Sequence, residues 1–376
     1  MKFFYAVSIL AGTMIGAGLF ALPHITTEVG IGVILAYFLV LGFISIAIHH
    51  FFGDLALKTK DDVRLPTFAD IHLGSWAKKL TTCTGIIGLS GSILAYIILG
   101  GEFLSGLFGE SLGGGSFEYS LLYWAVGAAF IYFGIKAIEK LEFVGIAGFI
   151  LTLFLILIRG WGDIDPGIVL EIGDGFQGDL FLPYGAILFS LWGAALIPEV
   201  EEVLTGEKHK LKWVAPVGVG LAILIYLFFI FIIVGITGAN TSEEAILGLM
   251  GQLDNGVIGL ALVFGLLATF TSFVTLGLTL KKILWFDLGL PEKASWAIVT
   301  FGPISAFLIG IDNYIQVITF VGTMLLAIDA TLITIMYQKY KPAKYKFLTY
   351  PMIAVFVLGI VYNIVYNKDI ILSLLD

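Results

Sequence analysis

Cysteine occurs once in this 376-residue chain, at Cys83, so no internal disulfide framework and no thiolate metal cluster can form. Histidine is nearly as scarce, with five residues scattered over unrelated stretches. No metal-ligand spacing and no nucleophile–base constellation is visible, so the chain is not expected to be an enzyme or to hold a resident cofactor. Charge is also thin. Asp, Glu, Lys and Arg make up 13% of the residues, against about 25% in ordinary soluble domains. In their place stand apolar residues, 59% of the chain, in long blocks between short charged patches. A soluble domain so composed would expose too much apolar surface, and the pattern is that of a polytopic membrane protein. The expected partners are a lipid bilayer and a small molecule, not nucleic acid.

A span needs about 20 apolar residues. Eleven are predicted: 3–23, 29–57, 80–108, 119–135, 141–160, 181–200, 213–238, 256–284, 294–310, 313–337 and 347–367. The first block lacks a small-residue cleavage pattern and reads as a retained span. Orientation follows Lys and Arg. With the N-terminus inside and the C-terminus outside, all of the 20 basic residues except Arg159 and Lys368 fall on the inner side. The net charge of −8 then reflects acidic outer loops, holding Glu102, Glu110, Glu118, Asp163, Asp165, Asp174, Glu243, Glu244 and Asp254 among others, rather than a basic partner. A cell-membrane location follows.

The first span is odd. AGTMIGAGLFALP, residues 11–23, places Gly12, Gly16 and Gly18 inside an apolar run that ends at Pro23, although each glycine costs a helix about 1 kcal/mol relative to alanine. The sixth span, LPYGAILFSLWGAALIPEV over 182–200, repeats the oddity with Gly185, Gly193 and Pro198. The two run in opposite senses. Interrupted segments at corresponding places in two halves point to inverted-repeat transporters, with repeats near 1–160 and 178–337 and an extra helix at 347–367. Unwound backbone at membrane depth survives only where it is buried or lines a cavity. It frees N–H groups for an anion and carbonyls for a cation, so one site can hold a zwitterion without a charged side chain. The glycines equally suit close helix packing, for which Gly12 and Gly16 have the spacing.

Gly12-Thr13-Met14-Ile15-Gly16-Ala17-Gly18-Leu19-Phe20-Ala21-Leu22-Pro23 resembles the first-helix signature of the amino acid/auxin permease family, nearest its bacterial tryptophan/tyrosine permease branch. Ala95-Tyr96-Ile97-Ile98-Leu99-Gly100 is similar to the family's third helix, and Phe189-Ser190-Leu191-Trp192-Gly193 with Ile197-Pro198-Glu199 to its sixth. The resemblance implies an all-α leucine-transporter fold, two inverted five-helix repeats plus an eleventh helix, and secondary transport of an amino acid coupled to Na⁺ or H⁺. It implies that the substrate carboxylate meets backbone N–H groups around Gly16, Ala17 and Gly18. The amine would meet carbonyls near Thr13 and around Phe189, Ser190 and Leu191, within walls from Ser92, Ala95, Tyr96, Phe189 and Trp192. A monomer is the default for this fold.

Two driving ions compete. Ala268, Thr271 and Ser272 in span eight resemble half of the fold's sodium site, with carbonyls of Gly12 and Ile15 as the other half. Such a neutral oxygen cage suits a hard cation. Span five has no lysine at depth to replace the ion. The same hydroxyls also suit bonds back onto their own helix. Asp329, inside span ten, is the alternative proton carrier, or else a structural carboxyl bonded to hydroxyls. His49, His50 and Asp54 sit near the inner end of span two, as a relay or simply as interfacial residues. Glu199, Glu201 and Glu202 suit an inner gate with loop lysines. A capping box from Thr241 to Glu244 predicts a short lid helix on the outer side. Residues 65–80 predict one amphipathic helix on the inner surface. Of rival classes, a channel lacks a visible filter, and a sensor on the same scaffold calls for a signalling domain or long tail, which the sequence does not show.

Overall fold

The computed structural model describes residues 2–58, 64–134, 138–172, 179–341 and 346–366. Lys60, Lys136, Lys344, Lys368 and Asp174, which entered the charge sorting, lie outside the described residues.

The described residues form helices and loops without a strand. The first predicted span is two helices, α1 (Lys2–Met14) and α2 (Ala17–Val29), bent by 55° at the break between them. Pro23 does not end the span but sits inside α2. Gly30, at φ 87°, takes a conformation that favours glycine and turns the chain into α3 (Ile31–Ala56). Next come α4 (Leu65–Leu73), α5 (Ser75–Leu112), α6 (Ser116–Phe133), α7 (Ile138–Arg159) and the short α8 (Pro166–Glu171). The sixth span is again broken, into α9 (Leu182–Ser190) and α10 (Ile197–Val203), with a single 3₁₀ turn at Ala194–Leu196. Then follow α11 (Leu211–Thr237), α12 (Asn255–Lys282), α13 (Glu292–Leu308), α14 (Tyr314–Phe320), α15 (Ala327–Tyr340) and α16 (Lys346–Tyr366). A π-helical stretch, Val321–Leu326, joins α14 to α15 within span ten.

Among the described residues α3, α5, α11, α12, α16 and the continuous run from α14 through α15 are long and apolar enough to cross a bilayer, and the bent α1–α2 pair is a seventh. The other predicted spans correspond to α6, α7 and α13 and to the interrupted α9–α10. The predicted surface helix over 65–80 is corrected. It stops at Leu73, because Gly74 at φ 97° turns the chain, and Ser75 already begins the 38-residue α5. At 1.5 Å per residue α5 is about 57 Å long. It packs against α4, α6, α12, α13 and α14 and is the mast of the bundle.

The predicted lid helix is corrected too. Thr241 is no helix cap: its hydroxyl donates to Gly238 O at 2.7 Å and pairs with that of Thr237 at 2.6 Å. Ser242 Oγ instead accepts the Gly248 N–H at 2.9 Å. The residues after it make only a four-residue 3₁₀ turn, Ile246–Leu249, entered through Ala245 at φ 59°. Side chain-to-backbone bonds here compete with the helix and win.

The core around the first break is aromatic. Phe20 of α2 meets Phe103 of α5, Phe149 of α7 and Phe229 of α11 edge to face, at centroid distances of 5.0, 5.3 and 6.0 Å. This geometry suits the ring quadrupoles. It pins α2 between three helices while α1 leans on α10 and α11.

Candidate functional site

The two breaks face each other. After Met14 the backbone makes a tight turn, Gly16 N–H donating to Met14 O at 2.9 Å, and α2 restarts with Leu19 N–H on Gly16 O at 3.0 Å. The Ala17 N–H at the head of α2 donates to Tyr96 Oη of α5 at 3.3 Å. A Cβ on Gly16 would collide with that same hydroxyl, and one on Gly18 would collide with Ser190. Gly16 and Gly18 are therefore glycine because span three and span six come up against the bare backbone.

In span six, α9 ends at Ser190, whose hydroxyl bonds back to Ala186 O at 2.7 Å. Leu191, Trp192 and Gly193 then leave the helix. Three side chains from other spans satisfy the backbone freed by the two breaks. Tyr226 of α11 lies with its hydroxyl 2.5 Å from Met14 O and 2.8 Å from Ser190 O, between one carbonyl of each broken span. Ser45 Oγ of α3 donates to Leu191 O at 2.8 Å, and Gly193 N–H donates to His49 Nε2 at 3.0 Å. In a low-dielectric interior each such group, left unpaired, would cost about 1–3 kcal/mol.

The predicted wall residues take these places. Ala95 and Tyr96 are buried, and Ser92 is buried with its hydroxyl on Gly88 O at 2.9 Å. Phe189 and Trp192 are half-buried. Leu191 and Ala17 are buried, and Thr13 is exposed, its hydroxyl turned back to Ile9 O at 2.8 Å. Gly12 remains inside α1, and Gly185 remains inside α9, where its backbone packs on Thr319 and Gly322 of span ten. Of the glycines that drew attention, then, Gly16, Gly18 and Gly193 lie at or beside the breaks, and Gly185 serves helix packing.

Residues 1–366 match the tryptophan/tyrosine permease family. The chain belongs to that family. Tyrosine-specific transport system 1 of Haemophilus influenzae is 26% identical over 292 residues, which are 73% of this chain and 70% of that one. Among solved structures, Mhp1, a nucleobase-cation-symport-1 family transporter, in a closed conformation with bromovinylhydantoin bound, superposes with a TM-score of 0.67 at 15% identity, over 90% of this chain and 77% of that one. MhsT in complex with L-phenylalanine gives 0.63 at 15% identity, over 96% and 98%. A mutant of the Eremococcus coleocola manganese transporter gives 0.66 at 12% identity, over 96% and 85%. This permease is thus an amino-acid transporter with the leucine-transporter fold, a multi-pass membrane protein and not an enzyme.

In the permease the remaining candidates are dispersed. Thr271 of α12 is buried and its hydroxyl donates to Ala268 O at 3.0 Å, while Ser272 and Ala268 are half-buried. The Ala268 backbone abuts Gly145 of α7. Among the described residues no hydrogen bond joins Thr271 or Ser272 to Gly12 or Ile15 of the first span. Asp329 is buried in α15 and accepts from Thr84 Oγ1 of α5 at 2.6 Å, tying spans three and ten. His49, His50 and Asp54 do not act as one relay. His49 serves the break in span six, and Asp54 takes Tyr337 Oη at 2.9 Å and Lys341 Nζ at 2.6 Å. Glu201 is buried and paired with loop Lys208, and Lys2 Nζ caps Thr205 O at 2.8 Å, fastening the start of α1 to the end of α10.

On the acidic side, the loop after α11 is fastened to spans one and ten. His24 Nδ1 of α2 lies 2.9 Å from Thr241 O, Tyr314 Oη donates to Glu243 O at 2.6 Å, and Asn313 Nδ2 donates to Glu243 Oε2 at 3.1 Å. Burial, with Glu102 and Glu243 close by, pushes the Glu244 carboxyl up to about 7.

Sequence reasoning missed Tyr226, Ser45 and the task of His49. The signal was present in part. Ser45 and His49 are an i, i+4 pair on one face of an apolar run, and Tyr226 brings the one hydroxyl to AILIYLFFIF.

Proposed function

We propose that this permease imports an aromatic amino acid by alternating access, with the substrate held between the unwound segments of spans one and six and driven by a Na⁺ gradient. The observation behind this reading is the Tyr226 hydroxyl set between Met14 O and Ser190 O, which brings a backbone carbonyl of each interrupted span to one point beside the head of α2. The carboxylate takes the N–H groups around Gly16, Ala17 and Gly18 at the head of α2, displacing the Tyr96 hydroxyl that the Ala17 N–H meets at 3.3 Å. Carbonyls near Thr13 and around Phe189, Ser190 and Leu191 take the ammonium. Ser92, Ala95, Tyr96, Phe189 and Trp192 form the walls, with the rings of Phe189 and Trp192 placed to stack on an aromatic side chain. The aromatic class is supported by the family and by the tyrosine-specific relative. The chain works as a monomer in the cell membrane, N-terminus inside and C-terminus outside, with its two halves, 1–160 and 178–337, as inverted repeats. The lysine and arginine sorting supports that orientation.

Na⁺ takes its oxygens from Gly12 O, Ile15 O, Ala268 O, Thr271 Oγ1 and Ser272 Oγ. That set is neutral and hard, and the Thr271–Ala268 bond at 3.0 Å holds two of its members together. A second reading is favoured by one observation: Asp329 is a carboxyl buried in the bundle with a hydroxyl partner, the setting of a proton carrier. A sensor on the same scaffold would bind the amino acid without moving it.

Uptake of labelled tyrosine into proteoliposomes, under a Na⁺ gradient or a pH gradient, tests the whole reading. Na⁺-driven accumulation that vanishes in Gly16→Val and in Thr271→Ala/Ser272→Ala is expected. Accumulation driven by pH alone and lost in Asp329→Asn would overturn the sodium reading. Binding without uptake would leave only the sensor.

A further inference from the structure

Span two sends Ser45 and His49, one turn apart, into the break in span six. The ring of His49 is 1% exposed, and both its nitrogens are committed. Nε2 accepts the Gly193 N–H at 3.0 Å, so it bears no proton. Nδ1 therefore carries it and donates to Ser45 O at 2.6 Å. The hydrogen bonds thus define one neutral tautomer. Ser45 Oγ adds its bond to Leu191 O at 2.8 Å. The two side chains hold Leu191 and Gly193, the residues on either side of Trp192. Gly193 has no room for a side chain: a Cβ there would lie 3.3 Å from His49 Nε2, 3.3 Å from Met14 Cε and 2.5 Å from Leu10 Cδ1.

We propose that His49 is the positioning residue of the unwound segment of span six, and that a proton on Nε2 releases that segment. The proposal rests on the reading of this segment as part of the substrate site. Protonation would turn the one acceptor of the ring into a second donor facing the Gly193 donor, and two N–H groups cannot share a bond. A charged ring would have no counter-ion at hand among the described residues. On its own helix Asp54 is held by Lys341 and Tyr337, and His50 sits beside Phe51. On α10, Glu201 is paired with Lys208, and neither Glu199 nor Glu202 makes an ion pair with the ring among the described residues. On α11 and α15, Tyr226 is turned to the two carbonyls and Asp329 to Thr84. The segment that carries Trp192 is therefore held at Gly193 only while His49 is neutral, with Leu191 left on Ser45, and proton arrival is coupled to the shape of the site.

The test uses the purified full chain, with His49→Gln and His49→Leu beside it. Glutamine places an uncharged amide oxygen where Nε2 stands and keeps it at every pH. Leucine removes the acceptor. Amide exchange of residues 187–196, corrected for intrinsic rate, is read without ligand between about pH 7.5 and 3.5, a range wide enough to titrate a buried ring, and L-tyrosine binding is measured over the same range. The wild type should lose protection of that segment and about tenfold in affinity on acidification. His49→Gln should match wild type at the upper pH and stay level, and His49→Leu should be unprotected and about tenfold weaker throughout. A His49→Gln chain that keeps the wild-type acid loss overturns the proposal, as does a wild type whose segment is protected equally across the range. If His49→Leu does not fold, His49→Gln against wild type still decides. The expected exchange pattern with no tyrosine, tryptophan or phenylalanine binding would support the positioning role and overturn the aromatic substrate reading instead.

Discussion

Gly18 lies directly on Ser190: a Cβ built on Gly18 would stand 3.1 Å from the Ser190 Cα and 2.9 Å from its Cβ. Two interrupted spans touch at this point, the bare backbone of Gly18 against Ser190, so their relative position is set to within one methyl group. Gly18→Ala should destabilise the permease by about 1–3 kcal/mol and weaken amino-acid binding. Ser190→Gly in the same chain should restore much of the loss, since it removes the colliding side chain. A double-mutant cycle on thermal unfolding and tyrosine binding measures this coupling. Additive losses would mean that the two residues do not meet as the structure has them.

Tyr226→Phe removes one oxygen and nothing else. The ring keeps its stacked contact with Phe38, centroids 5.9 Å apart. Met14 O and Ser190 O lose their shared donor, for an expected cost of about 1 kcal/mol in stability. Thermal unfolding in a single detergent reads the cost. The larger effect is expected in binding, because the two breaks are no longer tied to each other.

Asp329→Asn tests the buried carboxyl. The amide oxygen can still accept from Thr84 Oγ1, now at 2.6 Å from Oδ1, so the variant should fold with a loss within about 1 kcal/mol. Na⁺-driven uptake should persist. Asp329→Leu strips Thr84 of that acceptor, though Leu80 O at 3.1 Å remains within its reach, and should be the less stable of the two by thermal unfolding.

Glu244 makes the loop on the acidic side sensitive to pH. Its carboxyl is raised from the ordinary 4.5 to about 7, by burial first and by Glu102 and Glu243 next. The native state therefore holds a proton that the unfolded chain has released. Stability from this group is full below about pH 4.5 and is lost as the pH rises to about 7. Thermal unfolding between those limits should show wild type weakening with rising pH, and Glu244→Gln should flatten that part of the profile.

The sequence alone determined the class of molecule and the place of its oddities. Apolar blocks of span length, basic residues sorted to alternate loops, and glycines inside two corresponding spans are one-dimensional facts, because a bilayer imposes length and charge rules that a chain must obey locally. The first-helix signature was legible as a pattern, but the reason for its glycines was not: Tyr96 of span three and Ser190 of span six leave no room for a side chain at Gly16 and Gly18. What the freed backbone bonds to was not legible. Tyr226, Ser45 and His49 come from spans two and seven, far away in sequence, and nothing in a local pattern says that a lone tyrosine or histidine will face a broken helix rather than a lipid or a neighbour. The surface helix and the lid helix failed because a single turn of Gly74 and a few bonds from Thr241 and Ser242 outweigh propensity over so few residues. Which glycine of span six lies beside the break, Gly193 and not Gly185, was likewise decided in three dimensions. Gly185 is spent on close packing against span ten, while Leu191 and Gly193 find their partners on span two, and only the folded bundle brings those partners within about 3 Å.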